Sequence, residues 1–565
     1  MPMKTFEHWA ILCHPAWGHV RHFNGFLTRI LRRHRERDVR ITYLLHHTHA
    51  RKARAEVSQL MVEEGESYEE SERLLNKIRF IGLAPTQALL ESPEYQKLLL
   101  GSTTSIRFGM ELQSAFGHIW VDILSSQDRD RIIRCAASDQ VYSYDEWPRP
   151  TILHTDIYGA PMLKFVREQD EQRGQRTHKI YHWSTEFVSF WRMFKKDDIS
   201  QGGIEDDVVS MLADPEQCAK LPANSANFLE QCFERYNRNV NQLLCYPGLK
   251  NGMYDFEINP GQVGWLRTYI PALNKMKAAI TESDGIVIAS CDDYQPLAKQ
   301  IIENWLWEEH NVRLYAIGPS IEDNLLSERP ENIVVHEKDS ALISFMDRCQ
   351  ERHGQNSIIL LSWGTIWAPF RYPDILEAWI DEVLESGRPF ILNRSAELFS
   401  RLSPWIEEKL KVAIAADTGF QTNWIAQRTV CRHPALGVFV SHCGYASASE
   451  STVPIIGWPS FFDQSIIAQI GVDNDAGWQL YQVRGPDAAK QGQKCRALEL
   501  QGKQILGTLD AVREEARQVL QESHCQHPVY QRKMANLRRI RRAMHASMSK
   551  GGSAYEDVER LLDLS

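Results

Sequence analysis

Short apolar runs of strand length alternate along this chain with longer segments of helical or loop character. The first run, Trp9–Cys13, precedes a Gly-containing turn and a segment in which Phe23, Phe26, Leu27 and Ile30 recur at spacings of three and four. This order predicts a strand, a turn and an amphipathic helix. Further predicted strands are 39–45, 77–83, 151–155, 285–289, 313–317, 357–362, 389–392 and 437–440. Strands separated by helical segments predict an α/β fold built on parallel sheets.

A polar segment, 320–340, separates two strand-rich halves of the chain. We therefore predict an N-terminal domain over 1–325 and a second α/β domain over 340–528. Between 170 and 264 the alternation breaks down, and the segment is polar with scattered aromatic residues. Long irregular segments in compact domains usually have a role, so one interpretation is a set of insertions over a binding cleft. The other interpretation is variable surface elaboration.

The tail from 529 to 549 is a basic segment of helical period. Its apolar residues Met534, Leu537, Ile540, Met544 and Met548 fall on one side. A basic amphipathic helix can lie on a membrane or bind an acidic partner. An ordinary helix with a solvated face has the same pattern, so both readings stay open.

Composition restricts the function classes. The chain has 565 residues, 43% of them hydrophobic and 24% charged, and a net charge of −9, which argues against a general nucleic-acid binder. No apolar run approaches the ~18 residues that a membrane span needs, and we expect neither a signal peptide nor a membrane anchor. Eleven scattered cysteines without a C-x-x-C pair indicate reduced thiols and predict a cytoplasmic protein.

The densest chemistry lies between 423 and 464. An apolar strand, Gly437–Val440, leads into Ser441–Gly444 and then into a segment that can open a helix, Ala446–Glu450. A strand, a Gly turn and a helix start expose backbone N–H groups that suit a phosphate or diphosphate. His442 and Ser447 are placed to donate hydrogen bonds to the same oxygens.

Other side chains in this stretch suit the rest of a nucleotide sugar. Glu450 lies three residues after Ser447, as in a capping box, but its carboxylate can equally hold ribose hydroxyls. Trp424 offers a flat face for a base, although it can also be a core residue. Asp463 and Gln464 place a carboxylate and an amide side by side, a pair suited to sugar hydroxyls.

This order resembles the signature box of the UDP-dependent glycosyltransferases, glycosyltransferase family 1, known best from plant secondary metabolism. The matching positions are Trp424, Gln427, His433, Gly437, Phe439, His442, Cys443, Gly444, Ser447, Glu450, Pro454, Pro459, Asp463 and Gln464. Three features depart from the family pattern. Ala426 replaces its Pro, Tyr445 and Ala446 replace its Trp-Asn, and three residues are missing between Glu450 and Pro454. Without the Asn one expected phosphate contact is absent, so the donor is held differently or more weakly.

The resemblance implies the GT-B fold, which has two Rossmann-like doubly wound domains facing across a cleft. It places the UDP-sugar on the C-terminal domain and the acceptor on the N-terminal one. It also implies that the helices of 529–565 pack back toward the N-terminal domain. The turn Trp363-Gly364-Thr365 resembles the family's S-F-G-S segment, so Thr365 joins the expected donor-binding residues. His182–Thr185 resembles the segment in which a Ser or Thr faces the donor phosphates.

Two residues of the first half match the family's catalytic pair. His19, in the turn after the first strand, matches the general base, and Asp156, at the end of a later strand, matches the carboxylate that assists it. An imidazole with an ordinary pKa near 6.5 suits proton abstraction. His14 and His22 are the local alternatives, and a metal site built from all three histidines is conceivable but lacks a completing carboxylate or Cys.

The resemblance implies a metal-independent, inverting glycosyltransferase without a cofactor. It moves a sugar from UDP-glucose, or alternatively UDP-xylose, to a hydroxyl of a small lipophilic acceptor such as a terpenoid, sterol or phenolic, and forms a β-glycoside. We expect a monomer without nucleic-acid partners. Two alternatives remain: a catalytically weak UDP-sugar-binding protein of the same fold, and a relative that remodels a nucleotide sugar, such as an epimerase.

Overall fold

The computed structural model describes residues 6–93, 95–96, 104–124, 131–157, 159–194, 243–258, 260, 279–321, 323–326, 339–364, 369, 371–394, 402–490 and 492–564. The strands are, in chain order, β1 (Glu7–Leu12), β2 (Val39–His46), β3 (Ile78–Leu83), β4 (Ile132–Arg134), β5 (Val141–Ser143), β6 (Ile152–Asp156), β7 (His178–Trp183), β8 (Leu243–Leu244), β9 (Met253–Tyr254), β10 (Gly285–Ile288), β11 (Arg313–Ala316), β12 (Ile358–Ser362), β13 (Phe390–Asn393), β14 (Gly419–Thr422), β15 (Leu436–Ser441), β16 (Ile455–Gly457) and β17 (Gly477–Gln479).

The helices are α1 (Trp17–Arg33), α2 (Ala50–Glu63), α3 (Tyr68–Leu75), α4 (Gln87–Leu90), α5 (Thr104–Ile119), α6 (Ala160–Arg173), α7 (Phe187–Phe194), α8 (Pro296–His310), α9 (Asp323–Leu326), α10 (Ser340–His353), α11 (Pro373–Glu385), α12 (Pro404–Ala415), α13 (Gln427–Arg432), α14 (Tyr445–Glu450), α15 (Asp463–Asp473), α16 (Gly485–Lys490), α17 (Arg496–Glu499), α18 (Leu509–Glu522), α19 (Pro528–Met548) and α20 (Ser553–Leu562). No helix among the described residues is both long and apolar enough to cross a bilayer.

The chain divides into two compact units, each organised around one parallel sheet. Unit 1 comprises 1–187, 265–324 and 544–565, and its sheet has the strand order β11-β10-β7-β6-β1-β2-β3. The order reverses at β1, which has β2 on one side and β6 on the other. Because α1 follows β1, its first turn lies at the carboxyl edge of the sheet beside this reversal, where doubly wound folds bind ligands.

Unit 2 comprises 188–264 and 325–543, and its sheet has the order β14-β13-β12-β15-β16-β17. All adjacent strand pairs are parallel, and β12 and β15 pair at the point where the order reverses. The strands β12, β13 and β15 are buried on both faces, which explains their continuous apolar runs. The α/β class with two parallel sheets, predicted from the alternation of segments, is confirmed.

The unit boundaries differ from the predicted domains in two places. Residues 188–264, predicted to belong to the first domain, fall in unit 2, where Lys250 bonds to Asp473 and Glu257 to Arg484. These ion pairs and hydrogen bonds join residues more than 200 positions apart and leave no local signal in the sequence. The tail also divides, with the first part of α19 in unit 2 and the last turn of α19 together with α20 in unit 1.

The apolar stripe of α19 is covered by protein. Met534, Ile540, Met544 and Met548 are buried, and the hydroxyl of Tyr530 donates to the carbonyl of Gly437. This supports the interpretation of the tail as an ordinary packed helix with a solvated basic face, because the stripe is unavailable to a membrane.

Candidate functional site

His19 and Asp156 are in direct contact in unit 1. His19 lies in the first turn of α1, and Asp156 ends β6, the neighbour of β1. Oδ2 of Asp156 lies 2.9 Å from Nδ1 of His19 and accepts a further hydrogen bond of 3.1 Å from the backbone N–H of His14. A carboxylate can only accept, so Nδ1 of His19 carries the proton and Nε2 keeps its lone pair. The side chain of His19 is 27% exposed and that of Asp156 1%, as a base and its orienting acid require.

The two competing histidines are placed differently. His14 and His22 are buried, and burial lowers the pKa of each, that of His22 to about 3. Both ring nitrogens of His22 have neighbours, because Nε2 lies 3.1 Å from His182 and Nδ1 lies 2.8 Å from the hydroxyl of Ser320. Within the described residues His14, His19 and His22 therefore do not converge on a metal position.

His182 takes a place that its sequence context did not predict. It lies on β7, inside unit 1, and its Nε2 lies 2.8 Å from Nδ1 of His154. Together with His22 these residues form a hydrogen-bonded row of three buried imidazoles, and burial lowers the pKa of all three. Thr185 of the same segment is also buried. His182 therefore belongs to the core, and the expectation that a Ser or Thr of this segment faces the donor phosphates stays a prediction.

In unit 2, the segment after β15 folds around the ring of His442. Cβ atoms placed on Gly364 and Gly444 would lie 2.8 Å from Cε1 and 2.5 Å from Nε2 of this ring, so only glycine fits at either position. Burial lowers the pKa of His442 to about 4, and the imidazole is neutral at neutral pH. Nδ1 is buried and has no hydrogen-bond partner among the described residues. An unpaired acceptor costs less than an unpaired N–H, so the proton belongs on Nε2, over the start of α14.

Three of the predicted donor-binding side chains contact one another: Gln427, Ser447 and Glu450. Nε2 of Gln427 donates to Glu450 over 2.7 Å, and the hydroxyl of Ser447 donates to Oε1 of Gln427 over 3.4 Å. Arg428 adds an ion pair, with its Nε 3.1 Å from the other oxygen of Glu450. Glu450 is 1% exposed, so a ribose would have to share this carboxylate with Gln427 and Arg428. The sequence identified Gln427, Ser447 and Glu450, but not Arg428.

Trp424 is 44% exposed, which contradicts the interpretation of this residue as part of the core. Thr422 fixes the backbone beside it, since its hydroxyl donates to the carbonyl of Trp424 and accepts from the N–H of the same residue. An exposed indole on a fixed backbone is a suitable surface for a base.

Asp463 and Gln464 begin α15, directly after a strained residue. Phe462 has φ 57° and ψ −126°, a conformation that side chains other than glycine rarely adopt. Oε1 of Gln464 accepts from the backbone N–H groups of Ser460 and Phe461. The amide oxygen therefore fixes the loop before α15, and its NH₂ group is the part that remains to face a ligand. Thr365, the last predicted donor-binding residue, lies outside the described residues.

Arg541 supports the shortened connection after α14. Its Nη1 donates to the carbonyls of Ser449 (3.3 Å) and Ser451 (2.7 Å), and its Nη2 donates to that of Leu325. The side chain of Arg541 is buried, and burial lowers its pKa to about 10. Arg541 thus supplies the carbonyl groups at the end of α14 with donors where the three family residues are missing. It follows Ser451 by 90 positions, and nothing near it in the sequence indicates this role.

Comparisons with known proteins identify a family and a fold that this chain resembles. Residues 405–481 match the family model "UDP-glucoronosyl and UDP-glucosyl transferase". The UDP-glycosyltransferase eriJ of Hericium erinaceus is 26% identical over 348 residues, which cover 60% of this chain and 65% of that protein. The 7-deoxyloganetic acid glucosyltransferase of Catharanthus roseus is 27% identical over 34% of this chain and 42% of its own length. The chain thus spans less than two thirds of either relative.

A solved structure shows the same architecture. The Medicago truncatula UGT71G1, complexed with UDP-glucose, superposes with a TM-score of 0.62 over 99% of this chain and 98% of that one. At 17% identity this likeness supports the fold alone. The resemblance carried by residues 423–464 is confirmed: the chain is related to the UDP-dependent glycosyltransferases of glycosyltransferase family 1 and has their GT-B fold.

Proposed function

We propose that this protein is an inverting glycosyltransferase that moves glucose from UDP-glucose to a hydroxyl group of a small lipophilic acceptor. The observation that carries the proposal is the contact between partly exposed His19 and buried Asp156, in a chain whose other unit contains the family signature. The names of the relatives agree with it, since they describe a UDP-glycosyltransferase and a glucosyltransferase.

In the proposed reaction His19 is the general base. Nε2 removes the proton of the acceptor hydroxyl, whose oxygen forms a bond to the anomeric carbon of the sugar as the bond to UDP breaks. The Asp156 carboxylate holds the Nδ1 proton and stabilises the imidazolium that forms. A single displacement inverts the anomeric centre, so an α-linked donor gives a β-glycoside. No step of this scheme requires a metal ion or a cofactor.

Unit 2 supplies the groups for UDP. The indole of Trp424 stacks on the base, and the Glu450 carboxylate, shared with Gln427, accepts from the ribose hydroxyls. Nε2 of His442 and the hydroxyl of Ser447 donate to the diphosphate, and because both groups are neutral they stabilise its charge through hydrogen bonds. This stabilisation grows as UDP leaves, which is the requirement for lowering the barrier.

The sugar lies between Asp463 and Gln464 in this proposal. Asp463 accepts from two neighbouring hydroxyls, and the Gln464 NH₂ group donates, because its oxygen is bonded to the backbone. Glucose places its hydroxyls accordingly, whereas the 4-hydroxyl of galactose points the other way and the carboxylate of glucuronate would meet Asp463. UDP-xylose keeps the ring hydroxyls of glucose and is the second candidate donor.

A UDP-release assay over UDP-glucose, UDP-xylose, UDP-galactose and UDP-glucuronate, each with a panel of terpenoid, sterol and phenolic acceptors, tests the proposal. We expect kcat/KM to be highest for UDP-glucose, and a clear preference for galactose or glucuronate would reject the sugar assignment. Donor binding without UDP release would identify a UDP-sugar-binding protein. NMR of the donor after incubation without acceptor would reveal an epimerase.

A further inference from the structure

The turn that presents His19 is held by a residue that the proposed reaction does not use. This turn, 13–16, joins β1 to α1. Its residue Pro15 has no N–H, so the carbonyl is the only backbone group of this residue that can form a hydrogen bond. Nε2 of His49 lies 2.7 Å from that carbonyl oxygen. A carbonyl can only accept, so His49 donates through Nε2 and its tautomer is defined.

Pro15 lies between two residues that fix the base. On one side, the backbone N–H of His14 donates to Asp156 over 3.1 Å, and the ring of His14 packs edge-on against that of His19, with 4.9 Å between the centroids. On the other side, the carbonyl of Ala16 accepts from the backbone N–H of His19 over 3.0 Å and so begins α1. A displacement of Pro15 therefore moves both the ring beside His19 and the start of its helix.

His49 is itself fixed at the start of α2. Its backbone N–H donates to the carbonyl of His46 over 2.9 Å, and its own carbonyl accepts from the N–H of Ala53 over 2.8 Å. The half-buried imidazole also lies beside Trp17, the first residue of α1, with 5.8 Å between the ring centroids. His49 thus contacts both the turn before α1 and the first residue of that helix.

The two strands beside β1 hold the turn from opposite sides. The strand order β6-β1-β2 places Asp156, at the end of β6, on one side and His49, which follows β2, on the other. Asp156 bonds to the N–H of His14, and His49 to the carbonyl of the next residue, Pro15. The orientation of the turn is therefore set by both neighbours, and only one of them touches His19 in the proposed catalytic pair.

We propose that His49 is a positioning residue for the base. Its hydrogen bond keeps the turn 13–16 in the conformation in which Asp156 holds His19, with Nε2 of His19 directed at the acceptor hydroxyl. Transfer is sensitive to such positioning, because a displacement of about 1 Å can cost about 10²-fold in rate. The inference rests on the proposed function and deepens it, and His49 acts through the backbone without contacting a substrate.

Three substitutions test this role in the full chain. His49→Phe keeps a ring beside Trp17 but cannot donate, and His49→Gln keeps a side-chain N–H at about the same distance from the backbone. The half-buried neighbour His47→Phe is the matched control. We expect His49→Phe to lower kcat by about 10- to 100-fold and His49→Gln to restore most of it, whereas His47→Phe has little effect. The KM for the acceptor and the affinity for UDP should not change, because no contact with either is removed.

Amide exchange without substrates gives a second readout that does not depend on turnover. We expect the amides of His14, His19 and Val20 to exchange faster in His49→Phe than in the unaltered chain or in His47→Phe, because each is bonded within or from this turn. If the unaltered chain transfers no sugar, the proposed function fails. The exchange rates then still decide whether His49 holds the turn.

Three results would overturn the proposal. The first is equal kcat and equal exchange in His49→Phe and His47→Phe. The second is a loss that His49→Gln does not restore, which would assign the effect to the ring and not to the hydrogen bond. The third is a higher acceptor KM with unchanged kcat, which would make His49 an acceptor-binding residue. If His49→Phe does not fold, His49→Asn, whose amide lies closer to the backbone than that of Gln, takes its place in the same comparisons.

Discussion

The candidate residues of unit 1 and those of unit 2 are prepared for their ligands in different ways. In unit 1 the proposed catalytic pair is already in contact, because a buried carboxylate holds a partly exposed imidazole in one tautomer. In unit 2 the side chains of Gln427, Ser447 and Glu450 bond to one another, and the end of α14 depends on an arginine from the tail. Under the proposed function His19 can thus act as the base without rearrangement, whereas binding of the donor must share or exchange existing hydrogen bonds. We therefore expect function to depend on His19 and Asp156 themselves in unit 1. In unit 2 we expect it to depend also on residues such as Arg541, which hold the donor-binding elements in place.

The largest expected difference between the two units is in their stability at acidic pH. Burial lowers the pKa of His22 and His154 in unit 1 to about 3, and that of His442 in unit 2 to about 4. The unfolded chain takes up protons below about pH 6.5 and these folded groups do not, so stability is full above that pH and falls as the pH decreases toward 3–4. Each such histidine lowers the free energy of unfolding by about 1.4 kcal/mol for every pH unit in this range. Unit 1 also buries His8, His14 and His182 with lowered pKa values.

We therefore expect amide exchange at pH 5.5, relative to pH 7.5, to accelerate in peptides of unit 1 before it does in those of unit 2, after correction for intrinsic rates. His154→Gln should flatten the pH dependence of the free energy of unfolding by about one histidine's share. Equal acid sensitivity of both units would contradict the contrast.

Removal of the base is expected to have the next largest effect. His19→Ala should lower kcat by about 10²–10⁴-fold, the usual worth of general-base assistance. UDP affinity, measured by calorimetric titration, should stay unchanged because all residues assigned to UDP belong to unit 2. His47→Ala, a half-buried histidine just after β2, is the control and should keep most of the activity. Near-normal turnover of His19→Ala would reject the base assignment.

Replacement of Arg541, which bonds to carbonyl groups at the end of α14, tests the role of such supports in unit 2. Arg541→Met should destabilise unit 2 by roughly 2–4 kcal/mol, because buried carbonyl groups lose a charged donor. UDP affinity should fall as well, since Ser447 and Glu450 lie on α14. The exposed neighbour Arg542→Met is the matched control for loss of charge. A variant that melts early but binds UDP normally would show that Arg541 stabilises the fold without positioning the donor residues.

The smallest of these effects concerns the base of UDP. Trp424→Ala should weaken UDP binding by about 1–3 kcal/mol, the usual worth of stacking on an aromatic ring. The melting temperature should change little, because the indole is 44% exposed. Calorimetric titration beside a melting curve measures both quantities. A large loss of stability with unchanged UDP affinity would return Trp424 to a structural role.

Much of the fold could be predicted from the sequence because strand and helix patterns are local. The strands at Trp9, Val39 and Gly437, and the helix after His442, follow from apolar runs and a glycine turn. The contact between His19 and Asp156 could also be predicted. Asp156 ends one strand and His19 follows another of the same parallel sheet, and the carboxyl ends of parallel strands meet at one edge.

The long-range contacts that hold the candidate site residues in place could not be predicted from the sequence. The row from His22 to His154, the bonds of Arg541 and the pairing of Glu450 with Arg428 each join groups that are 22 to 216 positions apart. Such pairs depend on how elements pack, and no periodicity records them. The assignment of 188–264 to unit 2 has the same origin, because ion pairs such as Glu257 with Arg484 decide it.

The division of the tail between the units has a consequence for how the protein is made. Asp557 of α20 accepts from the backbone N–H of Ala316 at β11, so the sheet of unit 1 is supported by a residue 241 positions further along the chain. Unit 1 can therefore complete this packing only after α20 has been synthesised, although all seven strands of its sheet precede residue 317. A nascent chain that stalls before residue 541 would contain every strand of both sheets but would lack the donor that Arg541 supplies to unit 2 and the carboxylate that Asp557 supplies to unit 1.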